Sequence, residues 1–160
     1  MPDMKMLKAT LAIRLYALTR IPLIALVRPR IMQADAETCV IRIPLTRLVK
    51  NHLRSMYFGA LCIGADMAGG LIVMNLIRRR RSRVSFLFKD FQADFLKRVE
   101  GPCVFTCHDG RKLAALLDRA EASGEREEDT VEVIATVPDK LPDDEPAAVF
   151  RLTISMKKRG

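Results

Sequence analysis

The sequence predicts an α+β domain in which an antiparallel sheet wraps one long apolar helix. Three observations carry that expectation. Residues 56–77 are almost wholly apolar over a helical length, about 33 Å at 1.5 Å per residue. The runs that follow alternate apolar and polar residues with the period of a strand. Turns join most of these runs, which favours antiparallel pairing over a doubly wound sheet. The chain has 160 residues, 49% of them hydrophobic, enough for a core of its own. Residues 1–160 are expected to form a single domain.

The elements follow in order. Over residues 4–20, Met4, Leu7, Leu11, Leu15 and Leu18 recur at helical spacing with Lys5, Lys8 and Arg14 among them. This predicts an amphipathic helix that packs on its own domain or lies on a membrane, packing being the simpler reading. Arg14 and Arg20 interrupt the apolar run, which argues against a secretory signal, and a cytoplasmic protein is expected. Residues 39–44 read as a short strand. The long apolar run at 56–77 is sufficient to cross a bilayer. However, Asp66 sits at its midpoint and Gly59, Gly64, Gly69 and Gly70 thin its apolar surface, so a core helix is expected and not an integral span.

After that helix the apolar phase moves from Val84, Phe86 and Phe88 to Phe91, Ala93 and Phe95. A one-residue slip near Lys89 and Asp90 predicts a bulge in one long, bent strand. Gly101 and Pro102 turn the chain, and residues 103–107 return as the next strand. A helix over 110–123 presents Leu113, Leu116, Leu117 and Ala120 on one face, with Asp109 as its cap and Gly124 at its end. Residues 123–129 read as an acidic, solvated linker, 130–137 as a strand and 138–144 as a turn. In the last strand Phe150, Leu152, Ile154 and Met156 alternate with Arg151, Thr153, Ser155 and Lys157.

Charge and cysteine usage narrow the chemistry. Lys and Arg number 27 against 19 acids, a net charge of +8 that suits nucleic acid, a membrane surface or a phosphate-bearing ligand such as coenzyme A. The lack of Trp and the 6% aromatic content weigh against a base-stacking platform. No recognition-helix pattern accompanies Arg78, Arg79, Arg80, Arg81 and Arg83, so nucleic acid is not expected. That cluster reads as a helix end complementing the macrodipole. Cys103 and Cys107 would share a strand face roughly 13 Å apart, too far for one metal or a mutual disulfide. Together with Cys39 and Cys62 they are expected to be reduced thiols, and no metal site is expected.

One segment carries more specific information. Asn51-His52-Leu53-Arg54-Ser55-Met56-Tyr57-Phe58-Gly59-Ala60-Leu61, with Asp66 and Ala68 beyond it, resembles the active-site segment of hotdog-fold acyl-CoA thioesterases of the phenylacetate-pathway type. It is closer still to an uncharacterised branch of hotdog thioesterases. Those enzymes carry an Asn, a His-Gly-Gly turn and then a helix with an Asp followed by an Ala. Here Tyr57 and Phe58 stand at the His and first Gly. The resemblance implies a hotdog fold over residues 38–158 and hydrolysis of an acyl-CoA or acyl-carrier thioester, with no cofactor beyond the coenzyme A thioester substrate. It also implies a homo-oligomer, dimer or tetramer, in which Asp66 of one subunit faces Asn51 and the turn amides of its partner. Asn51 would orient the carbonyl or the attacking water.

The same residues can be read without the resemblance. Thioester hydrolysis needs donors for a developing oxyanion, and the Phe58 and Gly59 amides at a helix N-terminus are candidates. Asp66 is a lone carboxyl on a helix nearly free of charge, costly to bury unless paired or working. It can act as general base, as nucleophile or as a structural hydrogen-bond acceptor. Asn51 reads as a site group or a turn residue, and Tyr57 as a pocket donor or a packing residue. Ser55 reads as the cap of the central helix and His52 as a loop residue. The arginine cluster, Lys89, Lys97 and Arg98 are candidates for coenzyme A phosphates. Phe86, Phe88, Phe91 and Phe95 line an acyl pocket or fill the core, core being the simpler reading. The alternative to an enzyme is a non-catalytic hotdog dimer that holds an acyl or other hydrophobic ligand.

Overall fold

The computed structural model describes residues 4–142 and 145–159. Helices α1 (Met4–Arg20) and α2 (Pro22–Leu26) lead into a hairpin of β1 (Arg30–Ala34) and β2 (Cys39–Ile43). A single 3-10 turn, Arg47–Val49, precedes α3 (Phe58–Arg80). Then come β3 (Val84–Phe95), β4 (Cys103–Cys107), α4 (Gly110–Ser123), β5 (Glu127–Thr136) and β6 (Ala148–Lys158). The six strands form one antiparallel sheet in the order β1-β2-β4-β5-β6-β3. The sheet wraps α3, which packs against β2, β4, β5 and β6, while α4 covers β5 and β6 beside it. This is the hotdog arrangement.

The helix sits close to the sheet because Gly64 has no side chain. A Cβ there would lie 2.4 Å from the ring of Phe105, which is fully buried. Ile41, Ile72, Leu113, Leu116, Leu117, Phe150, Leu152 and Ile154 complete the interior. The long bent strand forms as expected, with its register shift between Phe88 and Asp90. The bulge absorbs the slip in apolar phase, so that Phe86 and Phe88 before it, opposite Met156 and Ile154, share a face with Phe91 and Ala93 after it, opposite Leu152 and Phe150.

Several local expectations are corrected. β1 and α2 carried too little alternation to be read, since only Ile31 of β1 is buried. β4 does not pair with the strand before it; it inserts between β2 and β5, and β3 crosses to the far edge beside β6. Glu127, Glu128 and Asp129 are not linker but the start of β5, opposite Met156, Ser155 and Ile154. Their charges are met by Lys89 and Arg119, which lets acids stand in a strand. Asp109 does not cap α4, because its Oδ2 accepts the Glu132 N–H at 2.8 Å; Gly124 does end that helix, at φ 70°. Asp143 and Asp144 of the expected turn lie outside the described residues. α3 begins at Phe58 and runs on through Arg78, Arg79 and Arg80, ending where Arg81 turns left-handed at φ 51°. Arg80 pairs with Asp118 of α4.

The amphipathic N-terminal helix packs on its domain through a face different from the one its leucines suggested. Thr10 and Ala17 are buried, with Met6, Ala9 and Ile13 half-buried against the core. Thr10 Oγ1 accepts the Ile31 N–H at 2.9 Å, tying α1 to β1. Met4, Leu7, Leu11, Leu15 and Leu18 point to solvent. All four cysteines are free thiols, and burial pushes the Cys39 and Cys103 thiols up to about 12 and Cys107 to about 11.

Candidate active site

The N-terminus of α3 is held by backbone hydrogen bonds from two sides. Tyr57 N–H donates to the Val49 carbonyl and Met56 N–H to the Val99 carbonyl, both at 2.8 Å. The loop between is built around Asn51. Its N–H donates to Ser55 O at 2.8 Å, and its side-chain Oδ1 accepts the N–H of Leu53 at 2.9 Å and of Ser55 at 3.2 Å. The Nδ2 donates to Ser55 Oγ at 3.0 Å. Thus the Asn51 carboxamide is engaged within its own loop, as in an Asx turn. Ser55 is buried and bonded to Asn51, and does not cap α3. The N-cap position belongs to Tyr57, whose side chain makes no capping bond.

An uncapped helix start leaves its first amides open. The N–H groups of Phe58 and Gly59 have no acceptor among the described residues. They stand at the positive end of the α3 dipole, beside a cleft of about 450 Å³ lined by Asn51, His52, Tyr57, Phe58, Phe95, Lys97 and Arg98. The Phe58 ring is exposed and packs 4.7 Å from that of Tyr57 and 6.3 Å from that of Phe95, at the edge of the cleft. Lys97 pairs with Glu145 at 2.7 Å, whereas Arg98 has no acidic partner among the described residues.

Of the basic candidates, then, the fold brings Lys97 and Arg98 to this cleft. Lys89 pairs with Glu128 at 2.6 Å. The arginine cluster lies at the opposite end of α3, roughly 30 Å away. Phe86 and Phe88 are half-buried with rings 6.0 Å apart. Phe91 and Phe95 lie with ring centroids 5.8 and 5.9 Å from that of Phe150 yet remain exposed, so they do not fill the core of the chain. The reason is position: β3 is an edge strand.

Asp66 lies about 12 Å along α3 from Phe58. It is half-buried, and its carboxyl has neither a hydrogen-bond partner nor an ion pair among the described residues. Burial alone raises its pKa to about 6. Its Oδ1 and the ring of Phe88 both approach the space above Gly70, which puts the carboxyl on the side of α3 that faces β3. Within one chain Asp66 and the Asn51 cleft are therefore not brought together. Among the described residues no group of three potential metal ligands is gathered. A second groove, about 410 Å³ between α1, β1 and α3, is lined by Ala9, Ile13, Tyr16, Leu71, Asn75 and Arg78; no sequence motif signalled it.

Comparison with known proteins agrees with this architecture. A solved protein of unknown function from Chlorobaculum tepidum is 18% identical, with a TM-score of 0.80 over 94% of this chain and 95% of that one. A Pseudomonas aeruginosa protein of unknown function, named a probable thioesterase, is 20% identical with a TM-score of 0.78 over 94% and 96%. A thioesterase family protein from Silicibacter pomeroyi is 15% identical with a TM-score of 0.63 over 94% and 99%. At these identities the likeness is one of fold. No curated protein matches the chain. Residues 10–157 match the family DUF4442, a domain of unknown function, and the chain belongs to that family.

Proposed function

We propose that the chain hydrolyses acyl thioesters, of coenzyme A or of an acyl carrier, at a site completed between two protomers. The observation that carries this reading is Asp66. It is a carboxyl with no partner among the described residues and a pKa raised to about 6, on the central helix of a hotdog fold whose solved neighbours include a thioesterase family protein. A base with that pKa is ionised at neutral pH yet able to take a proton. The open Phe58 and Gly59 amides are the oxyanion donors, and Arg98 with Lys97 receives the phosphates of the carrier at the cleft mouth. Because one chain holds Asp66 and these amides apart, the Asp66 of one protomer serves the cleft of the other, with β3 as the joining edge. Asn51 acts here by holding the loop that presents the amides.

In the reaction Asp66 removes a proton from water and the hydroxide attacks the thioester carbonyl. The carbonyl oxygen becomes the oxyanion held by the two N–H groups. Collapse re-forms the carbonyl, breaks the carbon–sulfur bond and expels the thiolate, which takes the proton from Asp66.

The test is thiol release from a panel of acyl-CoAs, from acetyl to long-chain and aryl. Wild type should release thiol and Asp66→Asn should not. Phe58→Pro removes one amide donor at a helix position where proline is tolerated, after a Tyr57 already extended at ψ 137°. It should lower kcat by about 10²–10³. Mixing the two variants should restore about a quarter of wild-type activity, since half the dimers then carry one intact site. Equal release by wild type and Asp66→Asn would end the assignment of Asp66.

A second reading, a non-catalytic dimer that binds an acyl or other hydrophobic ligand, is favoured by the Phe58 ring standing at the cleft edge where the resembled turn has glycine. Ligand binding without turnover by wild type, unchanged in Asp66→Asn, would establish it.

A further inference from the structure

Helix α1 is apolar on two opposite faces. At 100° per residue, Met6, Ala9, Thr10, Ile13 and Ala17 make one face, turned onto the domain. Met4, Leu7, Leu11, Leu15 and Leu18 make the other, turned outward, with Leu11 69% and Leu15 64% exposed. In the adjoining α2, Leu23 and Leu26 are exposed as well. Single exposed leucines are ordinary, but a continuous stripe of them marks a surface that something covers.

Charge indicates what covers it. Residues 4–34 contain six Lys or Arg and no Asp or Glu. Lys8 and Arg14 flank the leucine stripe on its two sides, as in helices that lie in a membrane interface. The Arg14 guanidinium is fixed to the Pro29 and Arg28 carbonyls at 2.9 Å each. Burial, then the nearby Arg30 and Arg28 charges, holds it below the usual arginine value. Pairing this face with a second copy would set like charges against like. An anionic bilayer instead takes the leucines into its headgroup–acyl boundary and matches the cations with phosphates.

We infer that the outward face of α1 and α2 docks on the surface of a bilayer containing anionic lipid. The docking does not involve the Asp66 site and stands apart from the proposed hydrolysis.

The experiment is co-sedimentation of the full chain with phosphatidylcholine vesicles, with and without phosphatidylglycerol, at low and high salt. The chain should partition onto the anionic vesicles, weakly onto the zwitterionic ones, and less as salt rises. Leu11→Glu with Leu15→Glu should lower the partition coefficient by tenfold or more, and the thermal midpoint should hold because both side chains are in solvent. Should that pair disturb folding, Lys8→Glu offers an independent reading and should lower partition by about fivefold or more. Failure to sediment with anionic vesicles overturns the inference. So does a Leu11→Glu, Leu15→Glu protein that binds vesicles as wild type does but loses an oligomeric state, since that outcome assigns the face to a second copy.

Discussion

β6 and β3 lie side by side, paired along the whole of β3, and are alike in sequence. Both place apolar residues on the inner face of the sheet, yet Phe150, Leu152, Ile154 and Met156 of β6 are fully buried. Across the register Phe91 is 39% and Phe95 49% exposed. β6 has β5 on its other flank and both α3 and α4 near it, whereas β3 is the rim of the sheet. An edge strand of this length with apolar side chains invites another chain unless something blunts it. β3 carries a bulge and Lys89 there, but it also lies beside the Asp66 carboxyl. Alternation in a sequence thus reports that a face is to be covered. What covers it depends on the neighbours the fold supplies.

The largest expected effect tests that contrast directly. Phe150→Ala should cost about 3–5 kcal/mol in denaturant unfolding, the usual loss for a fully enclosed aromatic. Phe91→Ala should cost under about 1 kcal/mol at concentrations where the chain is monomeric, and should weaken self-association instead. Equal costs under those conditions would mean that β3 is already covered within one chain.

Next in size is Asp66. Its folded pKa, raised to about 6 from a reference of 3.8, means the native state binds the proton more tightly than the unfolded state. Its contribution is therefore most favourable below about pH 4, falls between about 4 and 6, and stays low above. Asp66→Asn removes that loss. The variant should gain on wild type as pH rises through this window, by up to about 3 kcal/mol at neutral pH. The wild-type kcat/KM should rise with pH through about 6 and level off. A stability difference independent of pH would show that the carboxyl has a partner in solution.

Gly64→Ala follows. The added Cβ would stand 2.4 Å from the Phe105 ring, in a well-packed interior beneath β4. Overpacking of this kind should cost roughly 1–3 kcal/mol in thermal or denaturant unfolding. The same substitution at Gly69, where the nearest atom would be 3.6 Å away, should cost nothing of the sort, because alanine favours the helix. Comparable losses at both positions would undo the close approach of α3 to the sheet as their cause.

What the sequence made legible follows the same division. The wrapped helix, the bulge near Asp90, the buried phase of β6 and the Gly124 terminus were readable because each depends on periodicity or on one residue's backbone. The order of the strands was not, since nothing local tells β3 to cross to the edge beside β6 and leave β4 between β2 and β5. Nor was the start of β5 legible: Glu127, Glu128 and Asp129 look solvated until Lys89 and Arg119 are brought beside them. At the candidate site, the loop motif located the open amides of Phe58 and Gly59. Lys97 and Arg98 reach the cleft only because residues after β3 fold back under Met56. The leucines of α1 had the right period, but a helix with two apolar faces gives no sign of which one its own domain will use.

The smallest effect concerns the outer face, where β3 and β6 behave alike. Arg151 of β6 reaches Asp94 of β3 at 3.0 Å and Glu132 of β5 at 3.8 Å, all three side chains roughly half exposed. Such pairs contribute little, since solvent screens them and holding long side chains in place costs entropy. Asp94→Ala should therefore cost from a few tenths to about 1 kcal/mol in denaturant unfolding, and high salt should erase the difference. The inner-face substitutions at Phe150 and Gly64 should be insensitive to salt, being matters of packing. A loss at Asp94 as large as that at Gly64, persisting in salt, would mean the outer face of β3 is enclosed as well. The contrast between the two strands would then belong to the whole edge and not to its inner side.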